Sequence, residues 1–377
     1  MGTKKNGLEL YLHIPFCIKK CDYCDFLSGP STRAGQEAYI YALLREMKAV
    51  SAIEKRTVDT VFIGGGTPSV PECDVMEKLL QGLRDYFLFS ADAEVTIEAN
   101  PGTLTPEKLS IYRKYGINRI SIGLQSPNNK ELAMLGRIHN YAQFLESFQM
   151  AREAGFSNIN VDLMFAIPGQ CYEGWIENLR MVAALGPEHI SAYSLIIEEG
   201  TPFSRKKLDL PDEDTEYRMY EDVAVVLKEY GYHQYEISNY AKAGCECRHN
   251  EGYWQRKDYL GLGLGAASLL GKERFSNTSD MQEYLKNSSA PEKIRKNRGL
   301  LTREDEMAEF MFLGLRMTQG VSKKEFQEYF GTAIENIYGE VLKKYKKQGL
   351  LLEESGRIFL SREGIHVSNA VMADFLL

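Results

Sequence analysis

Tyr11-Leu12-His13-Ile14-Pro15-Phe16-Cys17-Ile18-Lys19-Lys20-Cys21-Asp22-Tyr23-Cys24 is the stretch on which the reading of this chain turns. An apolar run, Leu8–Phe16, reads as a strand and breaks into a polar loop that holds three cysteines within eight residues. The chain has seven cysteines in 377 residues, an odd number and no disulfide framework, so their placement carries the information. Thiolates that bind metal must converge from a loop, and Lys19 and Lys20 favour the thiolate forms. A closed zinc site needs four protein ligands, but Phe26 stands in the next natural position, and His13 lies on a strand that alternates in facing. Three ligands with an open fourth position suit a [4Fe-4S] cluster whose unique iron binds something exchangeable.

Outward from that loop, strand and helix patterns alternate. Val58–Ile63 is a β-branched strand running into Gly64-Gly65-Gly66, and Ala93–Ala99, Ile117–Leu124, Ile159–Ile167 and His189–Ile197 read as further strands. Helical stretches lie between them, one opened by Thr105-Pro106-Glu107 as N-cap and first turn, others closed near Gly116, Gly155 and Gly186. About six βα units give an α/β fold with a parallel sheet, open or curled into a partial or full barrel. In either form the reactive groups gather at the carboxyl ends of the strands. Cys17, the glycines, Asn100-Pro101, Gln125 and Pro168-Gly169 each follow a predicted strand, so that end is the expected active face. The expected division is residues 1–230 as core, 231–298 as an extension and 299–377 as a C-terminal domain. Tyr232–Tyr240 reads as one more strand and Asn287–Asn297 as a polar linker. Thr302 opens a run of three helices followed by a two-stranded wing at Leu350–Leu360, a winged-helix-like arrangement.

Composition narrows the function. With 44% hydrophobic and 11% aromatic residues the chain can fill a core, which excludes disorder. Its longest apolar runs fall far short of the roughly 20 residues a spanning helix needs, although peripheral association with a membrane stays open. Forty-five basic against 52 acidic residues give −7, the wrong sign for a bulk nucleic-acid binder. The basic runs Lys343–Lys347 and Lys293–Arg298 read as solvated helix faces. Met1–Asn6 lacks a signal peptide's apolar core, and Asn6 stands where a myristoylation pattern following Gly2 wants Ser or Thr. The cytoplasm is the expected location.

The cysteine spacing, following Tyr11–Phe16, resembles the radical S-adenosylmethionine superfamily, and more narrowly its coproporphyrinogen III oxidase-like family. That resemblance implies a partial (βα)6 TIM-like barrel with a C-terminal helical, winged-helix-like domain. It implies that Cys17, Cys21 and Cys24 bind a [4Fe-4S] cluster whose open iron takes the amino and carboxylate groups of S-adenosylmethionine, which is then cleaved to a 5′-deoxyadenosyl radical. Gly65, Gly66 and Thr67 resemble the family's glycine motif, where absent side chains let a ligand approach the backbone. Tyr11, Glu98, Gln125, Arg137, Asp162 and Ile196 match the family's other S-adenosylmethionine positions.

Within the family two branches differ in class. The oxygen-independent oxidase decarboxylates two propionates of coproporphyrinogen in porphyrin biosynthesis. The haem chaperone branch, HemW, binds haem and delivers it to haem-dependent respiratory proteins, with a reductant protein serving the cluster. The oxidase has a further cysteine two residues after the third, where this chain has Phe26, and a long N-terminal arm, where this chain has ten residues before Tyr11. His249-Asn250-Glu251-Gly252-Tyr253-Trp254 matches the motif that marks the chaperone branch. His249 is a candidate axial ligand and Tyr253 and Trp254 are candidate porphyrin surfaces, the bland alternative for His249 being a hydrogen-bonded structural ring. Cys245 and Cys247 with His249 make an incomplete zinc set. The reading that results is a haem chaperone with an intact radical site, the oxidase being the alternative.

Overall fold

The computed structural model describes residues 7–377; Gly2 and Asn6, on which the myristoylation reading falls, lie outside the described residues. Six strands, β1 (Leu8–Ile14), β2 (Val58–Gly65), β3 (Phe89–Ala99), β4 (Arg119–Gln125), β5 (Ile159–Phe165) and β6 (His189–Ser194), pair in parallel in chain order. Between and after them run α1 (Arg33–Ser51), α2 (Cys73–Tyr86), α3 (Pro106–Lys114), α4 (Asn129–Met134), α5 (Tyr141–Glu153), α6 (Tyr172–Ala184) and α7 (Glu213–Glu229). Each strand sends one side-chain set under the helices: Leu8, Leu10, Leu12 and Ile14 on β1, Val61 and Ile63 on β2, Ile120, Ile122 and Leu124 on β4 are all buried. The alternate set is mostly polar, Phe62 and Met164 being exceptions, and faces the concave side. Its rows follow from the register, which aligns Glu9 with Thr60 and Glu94, Thr96 with Arg119, and Glu98 with Ser121, Asn160 and His189. This is a partial (βα)6 barrel whose interior is a lined cavity, not a packed apolar core.

Residues 231–300 extend the same sheet at both edges. Tyr232–Tyr240 is not the single strand its composition suggests. It splits into β7 (His233–Gln234) and β8 (Asn239–Ala241), which pair antiparallel with each other, and β8 lies antiparallel against β6. After α8 (Arg248–Trp254), β9 (Tyr259–Leu262) returns to run parallel beside β1. β10 (Ala267–Leu270) and β11 (Glu273–Asn277) continue the sheet antiparallel, then α9 (Met281–Asn287) and α10 (Pro291–Ile294) lead to the outermost strand, β12 (Arg295–Leu300). Asn287–Asn297 is therefore not a linker: Ile294 is fully buried in the main core, and Arg295 and Lys296 pair with β11. Polar side chains mislead here because an edge strand needs only one partner and carries charge on its free side.

The C-terminal domain has its own apolar core. Thr302 and Asp305 form a reciprocal capping box that opens α11 (Arg303–Gly314). Then follow β13 (Val321–Ser322), α12 (Lys323–Phe330), α13 (Ile334–Lys347), the hairpin β14 (Leu351–Glu354) and β15 (Arg357–Leu360), and α14 (Arg362–His366) and α15 (Ser368–Ala373). The wing has a third strand, because β13 pairs with β15. No helix among the described residues is long and apolar enough to cross a membrane.

Candidate functional site

The loop after β1 is fastened at its base and along its length. The Gly29 amide donates to the Pro15 carbonyl and the Cys17 amide to the Gly29 carbonyl, both at 3.0 Å. Midway, the Asp22 amide donates to Leu135 O at 3.1 Å, its carbonyl accepts from Phe203 N at 3.0 Å, and its carboxylate meets Lys206 at 2.7 Å. At the end of β2 the Gly66 and Thr67 amides donate to the carbonyls of Ile14 and Phe16 at 2.9 and 2.6 Å. A Cβ on Gly66 would stand 2.6 Å from Phe16 O, so only glycine lets β2 close against the loop at this point.

All three loop cysteines are half-buried and line one cavity of about 520 Å³. Arg137 Nη1 donates to Cys21 Sγ and Thr67 Oγ1 to Cys17 Sγ, each at 3.6 Å. Burial pushes the Cys24 thiol up. Among the described residues no three His, Cys, Asp or Glu side chains close to the spacing of a single metal ion; what the three thiols share is the cavity they line.

The same cavity receives Gly65, Gly66 and Thr67 from the end of β2, Glu98 from β3, Gln125 from β4, Asp162 from β5, and Arg137 and Ile196 from the loops that follow α4 and β6. Asn100, noted in the sequence only as a strand-end residue, ties them together. Its Nδ2 donates to Thr67 Oγ1 and its Oδ1 accepts from Arg137 Nη2, both at 2.7 Å. Gln125 sits at φ 72° beside a register shift between β4 and β5, and its Oε1 accepts from Tyr193 Oη at 2.8 Å. A non-glycine residue in the left-handed region costs of order 1 kcal/mol or more, and the Tyr193 bond helps to hold it there. Glu98 is pushed up to about 8, by burial first and then by Asp162, while its Oε2 accepts from the Gly65 amide at 3.1 Å. Burial also raises Asp162, which accepts from Ser121 Oγ at 3.2 Å and Asn160 Nδ2 at 2.7 Å.

Tyr11 does not line this cavity. With Tyr253, Trp254 and Tyr259 it forms the aromatic wall of a second one, about 310 Å³, closed by Phe312 and Leu313 of α11 and edged by Arg274. His13 Nε2 must donate to the Leu27 carbonyl at 2.8 Å, which leaves Nδ1 as acceptor for Tyr11 Oη at 3.0 Å. His249 opens into neither cavity. It is 1% exposed, Nδ1 lies 2.7 Å from Thr60 Oγ1, Nε2 lies 3.0 Å from Tyr253 Oη, and the ring stacks on Phe62. Burial, with Arg119 and Lys257, lowers it to about 3, so it is neutral. As placed it offers iron no free nitrogen; it is a strut for Tyr253. Cys247 is no closer to a metal site, since its thiol is buried, pushed up to about 12, and directed at Glu94.

The chemistry on offer is therefore divided. One cavity has sulfur donors beside a guanidinium, carboxyls and exposed amides. The other has aromatic faces with a cation at the edge.

Comparison with known proteins bears on both. A model described as the radical SAM superfamily matches residues 11–182, and one described as the HemN C-terminal domain matches residues 301–367. The chain is similar to the protein named heme chaperone HemW of Bacillus subtilis, 37% identical over 97% of this chain and 98% of that one. It is 38% identical to the HemW of Lactococcus lactis over 97% of each chain, and 36% identical to that of Escherichia coli over 95% of this chain and 97% of that one. Among solved structures, the coproporphyrinogen III oxidase HemN from Escherichia coli, a radical SAM enzyme, superposes with a TM-score of 0.88 at 23% identity, over 99% of this chain and 91% of that one. That likeness concerns the fold.

Proposed function

The chain belongs to the HemW family of the radical S-adenosylmethionine superfamily, and from that premise we propose that it is a haem chaperone that holds a [4Fe-4S] cluster, binds S-adenosylmethionine and carries haem to haem-dependent respiratory proteins in the cytoplasm. The observation that carries this reading is the convergence of Cys17, Cys21 and Cys24 and eight of the nine S-adenosylmethionine candidates on one cavity, from six strands, the loops that follow them and the loop after α4. Bound there, such a cluster supplies a single electron at low potential to the sulfonium of S-adenosylmethionine.

The chain's own residues set the conditions. Cys17, Cys21 and Cys24 would hold the cluster, with Arg137 and Thr67 donating to two of the sulfurs and so stabilising negative charge on them. Arg137, half-buried and fixed by Asn100, is placed to meet a carboxylate, and Glu98 and Asp162 to accept from amine or hydroxyl groups. Gly65 and Gly66 keep the ligand's path along β2 clear of side chains. Tyr253, Trp254 and Tyr11 would offer their faces to haem in the second cavity, with Arg274 beside them for a propionate. His249 serves this site through the Tyr253 hydroxyl.

The test is anaerobic reconstitution followed by three assays. Wild type is expected to take up iron and sulfide near four each, and Cys17→Ala to lose the cluster; a full complement in Cys17→Ala would overturn the assignment. With S-adenosylmethionine, a reductant and coproporphyrinogen III, 5′-deoxyadenosine without protoporphyrinogen is expected. Protoporphyrinogen formation would make the oxidase reading correct. His249→Gln is expected to leave the Soret position of the haem-loaded protein unchanged, and a shifted Soret band would restore His249 as an axial ligand.

A further inference from the structure

Below Glu98 and Asp162 the first cavity continues toward the amino ends of the strands, where Arg119, Ser238, Asn239 and Asn250 line it. Nothing in the cluster or S-adenosylmethionine reading uses this floor. Arg119, the first residue of β4, is 2% exposed, and its Nε has no hydrogen-bond partner within the protein. Three carboxylates, Glu94, Asp162 and Glu98, act on it through space, and none of them hydrogen-bonds it. Glu94 accepts from the Cys247 thiol and from the Arg248 and His249 amides, seating the start of α8. Asp162 accepts from Ser121 and Asn160. Asn160 is closed off in turn, its Nδ2 given to Ser121 and Asp162 and its Oδ1 bonded to His189 and Ser191. A guanidinium carries a planar fork of donors that cannot be discharged by losing its proton, and burying it without acceptors is costly.

A second orphan lines the same floor. Asn239 Nδ2 donates to Glu236 Oε1 at 2.6 Å, which fixes the orientation of the amide, and leaves Oδ1 buried without any donor. The lining of one cavity thus holds, beside a closed polar network, an unpaired cationic donor and an unpaired neutral acceptor. Water could serve the hydrogen bonds, but an oxyanion also matches the charge and the planar fork.

We propose that the barrel floor is a binding subsite for a small carboxylate that carries its own hydroxyl or ammonium donor, the carboxylate on Arg119 and the donor on Asn239 Oδ1. The subsite stands on these two residues and does not depend on what the cysteine loop holds.

Equilibrium dialysis of the cluster-reconstituted full chain against radiolabelled glycolate tests it. Wild type is expected to bind a single equivalent saturably. Arg119→Gln is expected to weaken binding by about tenfold or more, the scale of one lost charge-assisted contact, with Arg119→Lys between the two. Lys324→Gln, on the exposed face of α12, is the control and is expected to bind as wild type does. Absence of saturable binding to wild type overturns the proposal and leaves the floor to water. Loss of binding in Arg137→Gln with retention in Arg119→Gln overturns it too, placing the anion beside the cysteines. Should Arg119→Gln fail to fold, Asn239→Asp sets a negative charge on the floor and is expected to abolish binding; wild-type affinity in that variant would refute the site.

Discussion

At the scale of single residues, the glycines after β2 separate two kinds of constraint. Gly65 has φ 111°, and a Cβ there would also stand 2.5 Å from the His13 ring; Gly66 has ordinary backbone angles but abuts the Phe16 carbonyl. Gly66→Ala therefore tests close approach alone. A backbone oxygen cannot step aside as a flexible side chain can, so the end of β2 must shift away from the loop, at a cost of about 1–3 kcal/mol. The expected result is a lower Tm and a reduced iron content after reconstitution. Gly339→Ala is the matched control, because it lies within α13 with open space around it and should be neutral or stabilising by about 0.5–1 kcal/mol. Equal effects from the two would show that the loop does not need the contact. The cysteines, this glycine run and the strand-end residues were all legible because each is rare at its place in the chain. Asn100 was visible as a strand-end residue, but its bridge between Thr67 and Arg137 was not, since it links groups 33 and 37 positions apart. Arg119 escaped notice because one charged residue opening a strand usually marks a solvated end, and only the closure of α8 beneath the barrel buries it.

At the scale of elements, α8 and the strands above it show why the inner face was harder to read than the outer. The apolar set of each strand announced itself, whereas the polar set looked like solvent-facing alternation. In the folded chain that set is enclosed, and α8 closes it from below, its amides on Glu94 and its Gly252 under Glu9, where a Cβ would come within 1.8 Å of the carboxylate. Glu9 is 1% exposed and neither oxygen has a hydrogen-bond partner; burial, only partly offset by Lys257, pushes it up to about 8. An acid whose folded value lies above its ordinary 4.5 stabilises the fold fully below that pH, and the contribution is lost as pH rises toward 8. Glu9→Gln removes the titration and should flatten the decline of Tm between pH 5 and pH 9, the two curves diverging most on the alkaline side. Parallel curves would mean that Glu9 is ionised throughout. The other misreadings, the linker that is β12 and the strand that is a β7–β8 pair, share a cause. Short edge strands are defined by their partners, which periodicity within the segment does not reveal.

At the scale of the whole molecule, the contact between the sheet and the C-terminal domain is also a wall of the proposed haem seat. Glu306 and Glu309, both buried on α11, face Arg256 after α8, Lys272 before β11 and Arg274 on β11. Glu309 uses both oxygens, on Arg256 Nε at 2.9 Å and on Arg274 Nη2 at 2.8 Å. One turn further along the helix, Phe312 and Leu313 close the second cavity against Tyr11, Tyr253 and Trp254. The ion cluster thus holds in place an apolar wall that belongs to a different domain from the aromatic faces opposite. Without Glu309, the buried side chain of Arg256 keeps only Glu306, at 3.7 Å, and the cost stays below the roughly 3–5 kcal/mol of a buried charge left with no partner. Glu309→Ala should therefore loosen α11 from the sheet, speed proteolytic cleavage between β12 and α11, and weaken haem binding several-fold. It should leave iron and sulfide content unchanged, because the cysteine loop draws its contacts from β2, α4 and the segment around Phe203 and from nothing in the C-terminal domain that its hydrogen bonds reach. Unchanged haem affinity in a chain whose domains have demonstrably loosened would move the haem seat out of the second cavity. A fall in iron content would show instead that the two cavities are coupled; Phe62 of the first stacks on Tyr11 of the second, and Tyr11→Phe would keep that ring contact while cutting the Tyr11–His13–Leu27 hydrogen bonds beside it.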